Sequence, residues 1–181
     1  AGLRTTVLDA IGGVIEQRDS KGAGTLKSFD NLNRPLLLWA RDGVGQKLTL
    51  RERLEYGDGG SSSQPPAERA NNRVANRLGK PIRHFDEAGL LTLDRYDFKG
   101  NLLEKSRSVV SDAAILGVFS PPPAGWQVEA FRVNWDNPAA TPLDAQAYTS
   151  SIRYDALNRA KLLTYPEDVE NQRRTLIPHY N

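Results

Sequence analysis

Five aspartates, Asp9, Asp30, Asp86, Asp97 and Asp155, recur in one setting, with a large apolar residue just before and Gly or Asn three positions after. Repeated carboxylates could act as paired acids and bases or as calcium ligands, because both chemistries need acidic side chains that converge. The spacing fits neither. A catalytic pair is not copied at every repeat, and where Asp94, Asp97 and Gly100 approach a calcium loop, Tyr96 and Phe98 fall on ligand positions. The other candidates are few. His84 and His179 are too far apart in sequence to nominate a zinc site. Ser61 to Ser63 lack the G-x-S-x-G setting of a nucleophile elbow, and Gly22-Ala23-Gly24 has neither a Walker lysine nor dinucleotide spacing. Cysteine is absent, which removes disulfides, thiolate metal sites and cysteine nucleophiles together. The expectation is no catalytic residue, no metal and no cofactor.

The repeated Asp has a plainer use. Its carboxylate can accept backbone N–H groups a few residues on, while the Gly or Asn takes the positive φ that closes a tight turn. The five segments read LDAIGGVIEQRD from Leu8, FDNLNRPLLLW from Phe29, FDEAGLLTLD from Phe85, YDFKGNLLEKSR from Tyr96 and YDALNRAKLLTY from Tyr154. In each, the turn pair is Asp9 and Gly12, Asp30 and Asn33, Asp86 and Gly89, Asp97 and Gly100, or Asp155 and Asn158. The residue before the Asp ends one strand and packs across to the aliphatic pair that opens the next. Each unit is therefore a strand, a turn and a strand. Asp86 and Asp97 stand only eleven residues apart, so Leu90 to Tyr96 is the shared middle strand of a meander from about Arg83 to Arg107.

The fold class that follows is all-β, a curved ribbon of antiparallel hairpins in a single segment, residues 1–181, with long insertions at about 57–80 and 111–150. In the first insertion, Ala67, Ala70, Val74 and Leu78 share a helical face ended by Gly79, which predicts a short helix near 67–78. The second holds Pro121-Pro122-Pro123 and then the alternating run Gln127 to Asn134, expected as an edge strand. Thr141, followed by Pro142, is expected to cap a further helical turn. The first and last strands, near Thr5 to Leu8 and Arg173 to Tyr180, are expected to have open edges.

Twenty-four basic residues against 22 acidic ones leave a net charge of +2, too balanced to call for nucleic acid. The longest apolar stretch, Leu36 to Ala40, is far too short to span a bilayer as a helix, and no signal peptide is legible. Beginning at Ala1 without an initiator methionine, the chain is read as a piece of a longer polypeptide.

The units RYDFKGNLLEKSR from Arg95 and RYDALNRAKLLTYP from Arg153 resemble the Rhs or YD-repeat family, and Asn71 to Arg107 resembles the repeats of bacterial Rhs toxins and of Tc insecticidal toxin components. Teneurin ectodomains share this repeat architecture. The resemblance implies a hairpin ribbon that spirals into a hollow shell around a toxic C-terminal domain. This chain is too short to close such a shell, so it is expected to be a stretch of wall. Its partners would be neighbouring repeats and the enclosed toxin domain, and it would be secreted or at the cell surface as part of a bacterial toxin-delivery protein. A second reading is a surface module in which Trp126, Trp135 and Tyr148 form an exposed aromatic patch for a carbohydrate or a protein.

Overall fold

The computed structural model describes residues 2–59, 65–120 and 129–181. Eleven strands dominate them: β1 (Arg4–Leu8), β2 (Val14–Asp19), β3 (Gly24–Phe29), β4 (Pro35–Arg41), β5 (Thr49–Tyr56), β6 (Pro81–Asp86), β7 (Gly89–Tyr96), β8 (Leu102–Val110), β9 (Leu143–Tyr154), β10 (Ala160–Glu167) and β11 (Arg173–Leu176). They form one open sheet in sequence order, and every pair of defined register is antiparallel. The connections also hold α1 (Pro66–Val74), α2 (Asp112–Leu116) and two 3₁₀ turns, Gly117–Phe119 and Pro138–Ala140. An all-β hairpin ribbon is thus what the turn signals specify.

The chain divides into two compact units, each with its own interior. The first comprises Ala1–Leu54, Phe85–Ala88 and Val110–Leu143. Its core is Leu50, Val110, Val133 and Trp135, packed by Leu37, Trp39, Phe85 and Phe131. Trp39 lies directly across from Leu50 in the β4–β5 pair, so one face of these strands supplies half of the core. The second insertion supplies the rest. Phe131, Val133 and Trp135 alternate inward, yet residues 129–134 form no strand, contrary to the edge strand expected there. The reason lies in their hydrogen bonds. Leu50 donates its backbone N–H to the Asn134 side-chain Oδ1 at 3.1 Å, and Leu50 O accepts the Trp135 N–H at 3.0 Å. A side chain replaces one rung, so no ladder propagates.

The helical turn expected after Thr141 is also absent, because β9 starts at Leu143. Thr141 is buried, and its hydroxyl accepts the Asn134 N–H at 3.2 Å, which leaves it unavailable as a cap. The cap that does form is Ser111, whose Oγ accepts the Ala113 N–H at the start of α2.

The second unit comprises Glu55–His84, Gly89–Val109 and Asp144–Asn181. Here β7 follows β6 and precedes β8 in the sheet, with Leu93 and Tyr96 buried in the middle strand. The Tyr96 hydroxyl donates to Pro81 O at 2.8 Å, which satisfies the polar end of a buried ring. The helix is shorter than expected and faces the other way. It ends at Val74, and Ala67, Ala70 and Val74 are exposed while Asn72 is buried. Asn72 Nδ2 donates to Gly57 O at 2.7 Å, Asn76 Nδ2 to Tyr96 O at 3.1 Å, and the Arg77 guanidinium to Asp94 O. This segment docks through amide and guanidinium donors on backbone carbonyls in or beside the strands. Its apolar stripe is too small, Ala, Ala and Val, for burial to outweigh those bonds.

Candidate functional site

The repeated aspartates sit at hairpin corners of one construction. In the loops at Asp9, Asp30, Asp97 and Asp155, the Asp Oδ1 accepts the backbone N–H groups two and four residues on, at 2.7–3.0 Å. The N–H three residues on returns to the Asp carbonyl at 2.9–3.2 Å, and the Asp N–H reaches the carbonyl four residues on at 2.8–2.9 Å. The residue at the third position takes positive φ: 88° at Gly12, 59° at Asn33, 90° at Gly100 and 61° at Asn158. This is a type I turn closed by one left-handed residue, a standard three-residue hairpin loop. Four of the five backbone N–H groups of each turn, those of the Asp and of the residues two, three and four on, are thus bonded within five residues.

Two further corners of the same build escaped the sequence pattern. Asp19 Oδ1 accepts Lys21 and Ala23, with Gly22 at φ 81°, and Asp168 Oδ1 accepts Glu170 and Gln172, with Asn171 at φ 58°. Arg18 and Glu167 precede them in place of an aromatic, so Asp-x-x-Gly or Asp-x-x-Asn is what the six corners share, although Asp42-Gly43-Val44-Gly45 and Asp86-Glu87-Ala88-Gly89 also match it without this build. The corner at Asp86 is different. Its Oδ1 accepts the Ala88 N–H, the loop is Glu87 and Ala88, and Gly89 opens β7 at φ 132°.

The second carboxylate oxygen is occupied as well. Asp30 Oδ2 accepts Arg34 Nε at 2.7 Å, Asp97 Oδ2 accepts Asn101 Nδ2 at 2.9 Å, Asp155 Oδ2 accepts Arg159 Nε at 2.8 Å and Asp168 Oδ2 accepts Arg174 Nε at 2.9 Å. At Asp30 and Asp97 desolvation pushes the carboxyl up, but the bonds from Arg34 and Leu32, and from Asn101, Lys99 and Gly100, outweigh it and hold the group below the usual range. The Arg159 and Gln172 backbone N–H groups lead the same downward shift at Asp155 and Asp168. A carboxylate with both oxygens engaged and its pKa pulled down is a poor proton carrier at neutral pH. These corners are built to hold backbone.

In the second unit, two corners also hold each other. Lys99 Nζ donates to Ala156 O at 2.9 Å and Asn101 Nδ2 to Asn158 Oδ1 at 3.1 Å. The tips of the aromatic or Leu-led corners carry apolar side chains that the turn does not need: Ile11, Leu32, Phe98 and Leu157 are all exposed.

Trp135 does not belong to the expected exposed aromatic patch. Trp135 is only 1% exposed, its Nε1 donates to Asp86 O at 3.1 Å and its ring lies 5.1 Å from that of Phe85. It is a core residue, because an indole flanked by Val133 and Phe85 gains more from burial than a surface position offers. Trp126, like Ser61 to Ser63 and Pro121 to Pro123, lies outside the described residues. Tyr148 is 37% exposed on β9. His84 lies on β6 and His179 beyond β11, and among the described residues no three His, Asp or Glu side chains come together as a metal site. No described helix is long and apolar enough to cross a membrane.

No family model and no curated protein matches the chain. Solved structures do. The TcdB2-TccC3 crystal structure aligns over 92% of this chain at 18% identity and a TM-score of 0.67. TcdB2-TccC3 without its hypervariable C-terminal region aligns over 96% at 19% and 0.64, and the Photorhabdus luminescens Tc holotoxin pore over 92% at 19% and 0.66. The chain spans only 7–8% of the length of those chains. What is common at such identity is the fold: this chain is folded as a stretch of the Rhs-repeat-containing Tc toxin is.

Proposed function

We propose that the chain is a non-catalytic stretch of wall in an Rhs-type shell, one repeat segment of a longer polypeptide that encloses a toxic C-terminal domain and is secreted with it. The observation that carries this reading is the recurrence of one self-contained corner, six times among the described residues, joining strands in sequence order. Such a construction extends without limit. Each added hairpin brings its own turn chemistry and needs only its neighbours, which is how repeat arrays accumulate stability. Its partners in this role are the adjoining repeats along the sheet and the cargo. The likeness to Tc toxin structures supports the reading at the level of fold. The aromatic binding-module alternative loses Trp135 to the core.

The reading is tested by the reading frame on both sides of the segment. Further Asp-x-x-Gly or Asp-x-x-Asn hairpins and a variable C-terminal domain are expected there. A frame with no further hairpin units on either side would overturn it.

A further inference from the structure

Within the first unit, the segment before β9 is fastened to the sheet in two unlike ways. At Trp135 the fastening is apolar and buried. At Arg132 it is ionic and half-exposed. Asp42, just past β4, receives two guanidinium groups on one oxygen, Arg51 Nη2 at 3.1 Å and Arg132 Nε at 2.6 Å. Arg51 is buried on β5 and also donates to Glu87 Oε1 at 2.5 Å and Thr49 Oγ1 at 2.6 Å. It cannot withdraw without stranding a buried charge. Arg132 and Asp42 are 40% and 43% exposed, so this second pair can part into water. Beside it is a cavity of about 470 Å³ lined by Ile115, Val118, Phe119, Phe131 and Val133, together with Glu87 and Arg132.

We propose that Ala130–Arg132 is a charge-latched strap: Asp42 is the fixed post, Arg132 the release and Trp135 the anchor, so that parting Arg132 from Asp42 frees Phe131 and widens the cavity while the unit stays folded. The Arg132 side-chain bond leads the lowering of the Asp42 pKa, and Arg51 adds to it. With Arg51, Arg132 and Glu87 the charged groups around it, the post stays ionised well below neutral pH, and the latch answers to salt and competing charge rather than to mild acid. The device does not depend on the chain being part of a shell.

Chymotrypsin digestion of the folded chain reads the strap directly, with cleavage after Phe131 measured against cleavage after Phe98, which is 85% exposed. Native-state cleavage tracks the population of the open form. Arg132→Gln should raise the Phe131/Phe98 ratio roughly fivefold or more, the value of one charge-assisted hydrogen bond on a half-exposed pair. Salt at about 1 M should do the same to the parent chain and add little to the variant. Glu87→Gln, which leaves the Arg132–Asp42 bond in place, should move the ratio less than about twofold. A ratio unmoved by both Arg132→Gln and salt would overturn the strap. So would a rise at Phe131 matched by equal rises at Phe29 and Phe85, which would mean that the unit loosens as a whole.

Discussion

Gly89 and Gly100 look alike in sequence, each three residues after a corner Asp, but the structure gives their replacement very different costs. At Gly100, φ is 90°, close to the 58–61° that Asn33, Asn158 and Asn171 adopt at the equivalent position of other corners. A Cβ there would meet only the Lys80 ammonium and Cε, at 2.8 and 3.2 Å, the far end of a flexible side chain. Gly100→Asn should therefore cost less than about 1 kcal/mol, since Asn tolerates the left-handed region. Gly100→Val should cost more, about 1–2 kcal/mol, because a β-branched residue resists that region. At Gly89, φ is 132°, and a Cβ would run into the Ser108 carbonyl oxygen and stand 3.0 Å from Val109 Cα. Both are backbone of the paired strand β8, with Gly89 directly across from Val109. Adding about 1–2 kcal/mol for the dihedral to about 1–3 kcal/mol for overpacking puts Gly89→Ala near 3 kcal/mol. For a chain of this size that is a fall of roughly 6–12 °C in Tm. Thermal melts followed by circular dichroism should rank the four proteins as parent, Gly100→Asn, Gly100→Val, Gly89→Ala. If Gly89→Ala melts within about 2 °C of the parent, the close approach of β7 to β8 is not a constraint and the reasoning fails.

Three further outcomes are expected. Trp135→Phe should lower stability by about 1–3 kcal/mol by removing the indole N–H bond to the part-buried Asp86 carbonyl, and Trp135→Ala by about 3–5 kcal/mol; urea titration checks this, and a neutral Trp135→Ala would return the residue to the surface. The corner carboxylates of Asp30, Asp97, Asp155 and Asp168 have pKa values lowered by folding, so the unfolded chain takes up protons first as pH falls through about 4, and their stabilisation is full above that value and lost below it. Urea midpoints should be level from pH 7 to 5 and drop by pH 3, and a midpoint that rises on acidification would contradict the corner chemistry. Asn72→Leu should destabilise by about 1–3 kcal/mol while Val74→Ala changes almost nothing, the reverse of what an apolar helix face would give.

The corners were legible because their chemistry is local. Asp, two free positions and Gly or Asn can close a turn with bonds that lie within five residues, and four of the five corners expected from sequence have that build. Asp19 and Asp168 were missed because the pattern also demanded an aromatic or Leu, which belongs to strand packing rather than to the turn. Asp86 shows the opposite limit: FDEAG spells the same motif, yet Gly89 is drawn into the β8 ladder and the loop tightens to two residues. The second insertion was read least well. Its alternation suggested an edge strand and its tryptophans an exposed patch, whereas Val133 and Trp135 are buried; the partners of this segment are Leu50 and Asp86, some fifty to eighty residues away, and no local signal names them. The short helix near 67–78 was legible and is present as Pro66–Val74, but its buried face was not legible, for a related reason. Its buried side is defined by carbonyls of Gly57, Asp94 and Tyr96, which periodicity of apolar residues cannot reveal.

The division between local corners and distant fastenings explains how such a chain can vary. A corner whose turn bonds lie within five residues places little demand on its two middle positions, where Ala-Ile, Asn-Leu, Phe-Lys and Ala-Leu all occur, although Lys99 also bonds Ala156 O of another corner. The position four residues after the Asp is less free, because Arg34, Asn101 and Arg159 each close the second carboxylate oxygen. Gly13 shows that this closure is optional, since its corner keeps both backbone bonds to Asp9 Oδ1 without any side chain to offer Oδ2. The essential pair is then Asp with Gly or Asn. Away from these pairs and from the distant fastenings at Trp135, Asn72 and Gly89, the corner chemistry itself places no constraint on sequence, and chains only 18–19% identical still align over more than nine-tenths of this one.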